Sequence, residues 1–109
     1  MNIYFRTNYN TKVGIGNFMR ITMLAEQLQR NNECTIILDK EIDRHKFKNY
    51  NLKFDYLYNN FKEFRSQKLD AEKFVMKIKK NSIIFIDDYR LGNEWEKIIS
   101  KKSKKLIAI

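Results

Sequence analysis

The sequence predicts an α/β fold built on a parallel sheet, and three observations carry that prediction. Strand-like and helix-like segments alternate along the chain. The strand-like segments are apolar throughout, as strands covered on both faces must be. Two of the three glycines, Gly14 and Gly16, fall in the turn between the first strand and the first helix, where such sheets open a crevice. The predicted strand order is 3-2-1-4-5, half of a doubly wound sheet. At 109 residues the chain is one domain, residues 1–109.

Each element follows from its own pattern. The segment "NIYFR", Asn2 to Arg6, is β-branched and aromatic without helical period and reads as a buried strand. The polar stretch "TNYNTKVGIG" reads as a loop. From Phe18, the residues Ile21, Ala25 and Leu28 continue one apolar helical face, which Met23 and Leu24 widen. Asn31 and Asn32 close that helix, since asparagine tolerates the left-handed conformation of a C-cap. "CTIIL" is the second strand, and "LKFDYLYN" alternates well enough for a third. Between them, "DKEIDRHKFKNYN" fits a short helix or an irregular loop. Asp70 reads as the N-cap of a helix carrying Ala71, Phe74, Val75 and Ile78, which Asn81 ends. "SIIFIDD" is a fourth strand, "GNEWEKIISKK" a helix with Trp95, Ile98 and Ile99 inward, and "KLIAI" a fifth strand. The chain stops inside that strand, so the sequence reads as a domain truncated at its C-terminal end.

Composition narrows the function. Hydrophobic residues make up 43% and charged residues 32%, which suits a soluble globular chain. No apolar run approaches the roughly 18 residues of a membrane helix, so no membrane partner is expected. No basic-then-apolar leader opens the chain, and a lone cysteine, Cys34, fits a reducing cytoplasm. Cys34 reads as a small half-buried residue at a strand edge. The net charge of +9 gives a general affinity for anions. The lysines thicken at "KIKKN" and "SKKSKK", at helix ends where cations suit the helix dipole, which argues against a nucleic-acid partner.

The candidate site lies at the glycine loop. Gly14 and Gly16, either side of Ile15, would let the backbone turn tightly and let a ligand approach without a Cβ in the way. The following helix N-terminus offers amides to an anion. A simple chain-reversing turn is the competing reading, because the third glycine of the dinucleotide fingerprint is Met19. Arg6 ends the first strand, and Arg20 sits in the first turn of the predicted helix, where a cation is unfavourable. Each is expected either to bind a phosphate or sugar carbonyl, or to pair with Asp87, Asp88 or another crevice carboxylate. Asp87 and Asp88 end the fourth strand and are candidate bases; alternatively Asp87 receives backbone donors and Asp88 caps the next turn. Tyr89 either lines the site or packs a turn. His45 reads as a solvent-facing loop residue, and Trp95 and Phe74 as packing.

"FRTNYNTKVGIGNFMRITMLAEQL", Phe5 to Leu28, resembles the opening of the UDP-2,4-diacetamido-2,4,6-trideoxy-β-L-altropyranose hydrolases of pseudaminic acid biosynthesis. Phe5, Arg6, Gly14, Gly16, Arg20, Leu24, Ala25 and Leu28 fall at the matching places. A second match, in "IIFIDDYRLGNEWEKIISKKSKKLIAI", rests on Asp87, Tyr89, Leu91, Trp95 and Glu96. The resemblance implies the N-terminal domain of a two-domain GT-B-like enzyme, with the partner nucleotide-binding domain absent and supplied in cis or in trans. It implies hydrolysis of a UDP-sugar by water attack at the anomeric carbon, with no metal and no cofactor. The family carries a histidine where this chain has Asn17, and an aspartate where it has Asn8. An amide positions water but takes no proton, so the implied hydrolysis is impaired or runs through another base. The expected substrate-binding set is Arg6, Asn8, Gly14, Ile15, Gly16, Arg20 and Tyr89, and the catalytic set is Asn17, Asp87 and Asp88. A GT-B glycosyltransferase domain and a non-catalytic anion- or nucleic-acid-binding module are the alternatives.

Overall fold

A computed structural model describes residues 1–9, 16–43, 45, 51–59 and 61–109. Five parallel strands form one sheet in the order β3-β2-β1-β4-β5. In chain order these are β1 (Asn2–Arg6), β2 (Glu33–Leu38), β3 (Lys53–Tyr56), β4 (Ile83–Ile86) and β5 (Lys105–Ala108). Three helices, α1 (Gly16–Leu28), α2 (Gln67–Val75) and α3 (Asn93–Ser100), complete the described elements. The predicted α/β class and strand order are both observed, a Rossmann-like arrangement. Part of "DKEIDRHKFKNYN" lies outside the described residues; its beginning, Asp39 to Asp43, is neither helix nor strand.

The central strand β1 shows how the sequence divides the core. Side chains alternate across a strand, so Ile3 and Phe5 join the α1 layer with Phe18, Ile21, Ala25, Cys34, Ile36 and Leu38. Tyr4 faces the α2 and α3 layer with Ile37, Ile84, Ile86, Phe74, Trp95 and Ile99. Phe5 stacks on Phe85 at 5.2 Å between ring centroids, and Phe74 packs on Trp95 at 5.0 Å. Cys34 is buried at 8% exposure, deeper than expected, and burial pushes its thiol above the ordinary cysteine value.

Three local readings are corrected. Asp70 does not cap α2: the helix starts earlier, at Gln67, and the Ser66 hydroxyl accepts the Leu69 N–H as N-cap. Ile78 is buried but lies beyond the end of α2. Met23, expected to widen the apolar face of α1, is 62% exposed. Asn31 and Asn32 do end α1, though without a left-handed residue. The Asn32 side-chain amide donates to the Leu28 carbonyl at 2.9 Å. Asn81 alone among the described non-glycine residues has positive φ, at 60°, in the turn that leads into β4.

The α3 N-terminus is capped from another element. Its N-cap, Gly92, has no side chain to offer. The Gln67 side-chain oxygen accepts from the Gly92 N–H at 2.9 Å and the Trp95 N–H at 3.2 Å. Two orphan helix donors are thereby satisfied.

Candidate functional site

The order β2-β1-β4 places the topological switch between β1 and β4, and the crevice at their carboxyl ends is where such sheets bind ligands. α1 begins beside it with Gly16, earlier than expected, so Arg20 falls in the second turn rather than the first. A cavity of about 410 Å³ opens there, lined by Asn17, Arg20, Asp87, Asp88, Tyr89, Leu91 and Glu96, with Ile86, Ala108 and Ile109 as its apolar part. Five predicted site residues, Asn17, Arg20, Asp87, Asp88 and Tyr89, therefore meet in one place.

Their geometry fixes what each can do. Arg20 spans both oxygens of Asp87, with Nε to Oδ2 at 3.0 Å and Nη2 to Oδ1 at 3.1 Å. Its Nη2 also donates to Asn17 Oδ1 at 3.0 Å. The Asn17 amide donates in turn to the Asp87 backbone carbonyl at 3.3 Å, which also accepts from the Thr7 hydroxyl at 3.0 Å. Asn17 is thus held at both ends of its amide, oriented but unable to take a proton. Arg20 pairs with Asp87, one of its two expected roles, yet its side chain is 58% exposed and keeps a face toward the cavity. Tyr89 is 82% exposed at the rim. Tyr89 is one of the residues that line this cavity.

Asp88 caps the next turn: its Oδ1 accepts the Arg90 N–H at 3.0 Å and Arg90 Nε at 2.9 Å, while Oδ2 accepts Arg90 Nη2 at 2.6 Å. Both aspartates have their oxygens engaged by guanidinium. Glu96 differs. It lines the same cavity, and among the described residues no ion pair engages it.

Arg6 stands apart from the cavity. Its side chain is fully buried, and its N–H groups go to Asp70 (Nε to Oδ1 3.1 Å, Nη2 to Oδ2 2.6 Å), to Asp39 Oδ1 at 2.6 Å and to the Thr7 carbonyl at 2.8 Å. The reading that paired it with a crevice carboxylate is realised by Asp70 and Asp39, and no face is left for a phosphate or a sugar carbonyl. Burial alone would pull the guanidinium pKa down, but the hydrogen bonds and charges of Asp70 and Asp39 hold it above the ordinary arginine value. Asp70 also accepts from the Tyr58 hydroxyl and Trp95 Nε1, each at 2.8 Å.

Asp39 joins this pair to Arg90 through two bonds of 2.8 Å. Burial works to raise the Asp39 carboxyl, but hydrogen bonds and charge from Arg90 and Arg6 outweigh it and hold it below the usual carboxylate range. The Arg90 guanidinium lies over the Phe64 ring at 4.4 Å. The result is a row of alternating charges, Asp70, Arg6, Asp39, Arg90, Asp88, along the carboxyl edge. Sequence reasoning missed Asp39, Asp70 and Arg90 as members of this row, because the contacts that join them to it, Asp39 to Arg6, Asp70 to Arg6 and Arg90 to Asp39, span 33 to 64 residues.

The remaining predicted residues separate. Asn8 lines a different cavity of about 380 Å³ with Tyr9, Asp39, Glu41, Asp43 and Glu63. Gly14 and Ile15 lie outside the described residues. A Cβ on Gly16 would meet nothing within 4 Å, so the fold itself does not demand glycine there. His45 is exposed, as expected of a loop residue. No family model matches this chain, and neither curated proteins nor solved structures give a match to it.

Proposed function

We propose that this chain is the sugar-facing N-terminal domain of a nucleotide-sugar hydrolase of the pseudaminic-acid type, working through a base other than the residue at the start of α1. The observation that carries this reading is the cavity at the switch point, where Asn17, Arg20, Asp87, Tyr89 and Glu96 converge. Its polar groups suit hydroxyl and acetamido substituents: Asn17 offers an oriented amide, and exposed Arg20 offers N–H donors. Arg6, Arg20 and Arg90 around the crevice are mated to aspartates, so little of their positive charge is left for a diphosphate. That balance fits a domain that holds the sugar while a partner domain, in cis or in trans, holds most of the UDP.

In this mechanism water attacks the anomeric carbon, the bond to the UDP oxygen breaks, and UDP leaves. Asn17 orients the water or a sugar hydroxyl. Glu96, whose carboxylate no described cation engages, takes the proton from the attacking water. The test is UDP release from a UDP-diacetamido-trideoxy sugar by the full-length protein, with no acceptor added. Asn17→His should raise the rate by about 100-fold or more, the usual worth of a general base, and Glu96→Gln should lower the parent's rate by a similar factor. Equal release by Asn17→His and parent would remove Asn17 from the base position. Release that required an added acceptor alcohol would replace hydrolysis by glycosyl transfer.

A further inference from the structure

We propose that the amino end of the sheet is a docking surface for an anionic phospholipid bilayer. Helices α2 and α3 each lead from the carboxyl end of one parallel strand back to the amino end of the next, so their C-termini emerge together. Two lysine runs, Lys77 to Lys80 and Lys101 to Lys105, follow those C-termini. The fold laces them side by side: the Asn81 N–H donates to the Lys102 carbonyl at 2.9 Å, and the Lys104 N–H to the Ser82 carbonyl at 2.7 Å. The Tyr4 hydroxyl, reaching the same end of the sheet, accepts from the Lys79 N–H at 3.2 Å.

Two of these lysines serve the fold. Lys102 Nζ caps the α2 carbonyl of Val75 at 2.9 Å, and Lys77 pairs with Asp55 at 3.0 Å. Lys79, Lys80, Lys101, Lys104 and Lys105 are exposed, and no described carboxylate pairs with them. Arg6, Arg20 and Arg90 at the crevice are paired with aspartates, whereas these five unpaired lysines cluster at the opposite end of the sheet. Beside it Met76, the C-cap of α2, is 86% exposed.

The chemistry of the patch selects its partner. Both runs lack arginine, the side chain that reads bases bidentately, and lack the aromatic rings on which single strands stack. What remains is a set of ammonium groups suited to a diffuse layer of phosphates. An exposed methionine gains by entering the headgroup boundary of a bilayer, and gains nothing against a duplex backbone. Docking of this kind needs no spanning helix, and no described helix is long and apolar enough to cross a membrane. It departs from the sequence expectation of no membrane partner, which rested on the missing span. The crevice between β1 and β4 would face away from the lipid.

The full chain should co-sediment with vesicles containing phosphatidylglycerol, lose that binding as salt rises, and ignore pure phosphatidylcholine vesicles. Lys80→Gln with Lys104→Gln should lower the partition about 25-fold, near fivefold per lysine. Lys62→Gln with Arg65→Gln removes the same charge from the carboxyl side of the sheet and should leave it nearly unchanged. Met76→Ser should weaken vesicle binding. Circular dichroism establishes that each variant is folded. Equal partition onto neutral vesicles, equal loss in both double variants, or displacement by inorganic phosphate at constant ionic strength would overturn the proposal. Tighter binding to duplex DNA at equal phosphate concentration would overturn it in favour of nucleic acid.

Discussion

Asp70 accepts four hydrogen bonds inside the fold, two from Arg6, one from Tyr58 and one from Trp95. An aspartate ahead of an apolar helical run reads as an N-cap, and nothing local distinguishes it from one. The difference is made by β1, whose period-2 alternation turns Arg6 toward the α2 and α3 layer. A buried guanidinium without a countercharge costs several kcal/mol, and Asp70 is where that charge is met. Asp70→Asn, which keeps the shape and removes the charge, should lower stability by about 3–5 kcal/mol, read as a fall in the urea midpoint. Asn17 is the opposite case. Its identity as an amide was legible from the sequence, along with what an amide cannot do. That both ends of the amide are held, by Arg20 and by the Asp87 carbonyl, was not.

At the scale of elements, helix ends account for most of the difference between expectation and structure. Apolar period located α1, α2 and α3, because burial of one face is a property each segment carries in its own residues. The ends depend on which polar group reaches an orphan amide or carbonyl, and several candidates compete. Ser66 rather than Asp70 caps α2, and Gln67 caps α3 from across the helix pair. Ser66→Ala should therefore cost about 1 kcal/mol, the usual worth of a capping hydroxyl, in the same urea measurement. If Ser66→Ala cost more than Asp70→Asn, the assignment of cap and buried countercharge would have to be exchanged.

Over the whole molecule, two charge clusters stand out among the described residues: Arg6, Arg20 and Arg90 mated to aspartates along the carboxyl edge, and unpaired lysines at the amino end of β4 and β5. The edge network gives stability a pH signature. Folding holds Asp39 below its ordinary value of 3.8, so that contribution is complete above this value and is lost as pH falls further. Tyr58 shifts the other way. Burial, then its hydrogen bond to Asp70, raises its hydroxyl above the ordinary 10.0. Its contribution is complete below that value and is lost as pH rises beyond it. Urea midpoints should thus fall in acid below about pH 4 and in alkali above about pH 10. Tyr58→Phe should remove part of the alkaline fall only. An alkaline limb identical in Tyr58→Phe and parent would show that this hydroxyl does not titrate against the fold.

The α/β class, the parallel sheet and the order 3-2-1-4-5 are all readable from the residues alone. Those follow from apolar runs, helical period and the right-handed connection between parallel strands, all of which are local or topological rules. The residues also show that an amide, not an imidazole, stands at the start of α1. Which charges meet emerges only in the folded chain: Arg6 is consumed by Asp70 and Asp39, Asp87 and Asp88 are held by Arg20 and Arg90, and Glu96 shares their cavity with no such partner among the described residues. Folding also decides that two lysine runs twenty residues apart in the chain form one surface. Ion pairing depends on separations of a few ångströms between residues far apart in sequence, and no periodicity along the chain encodes those distances.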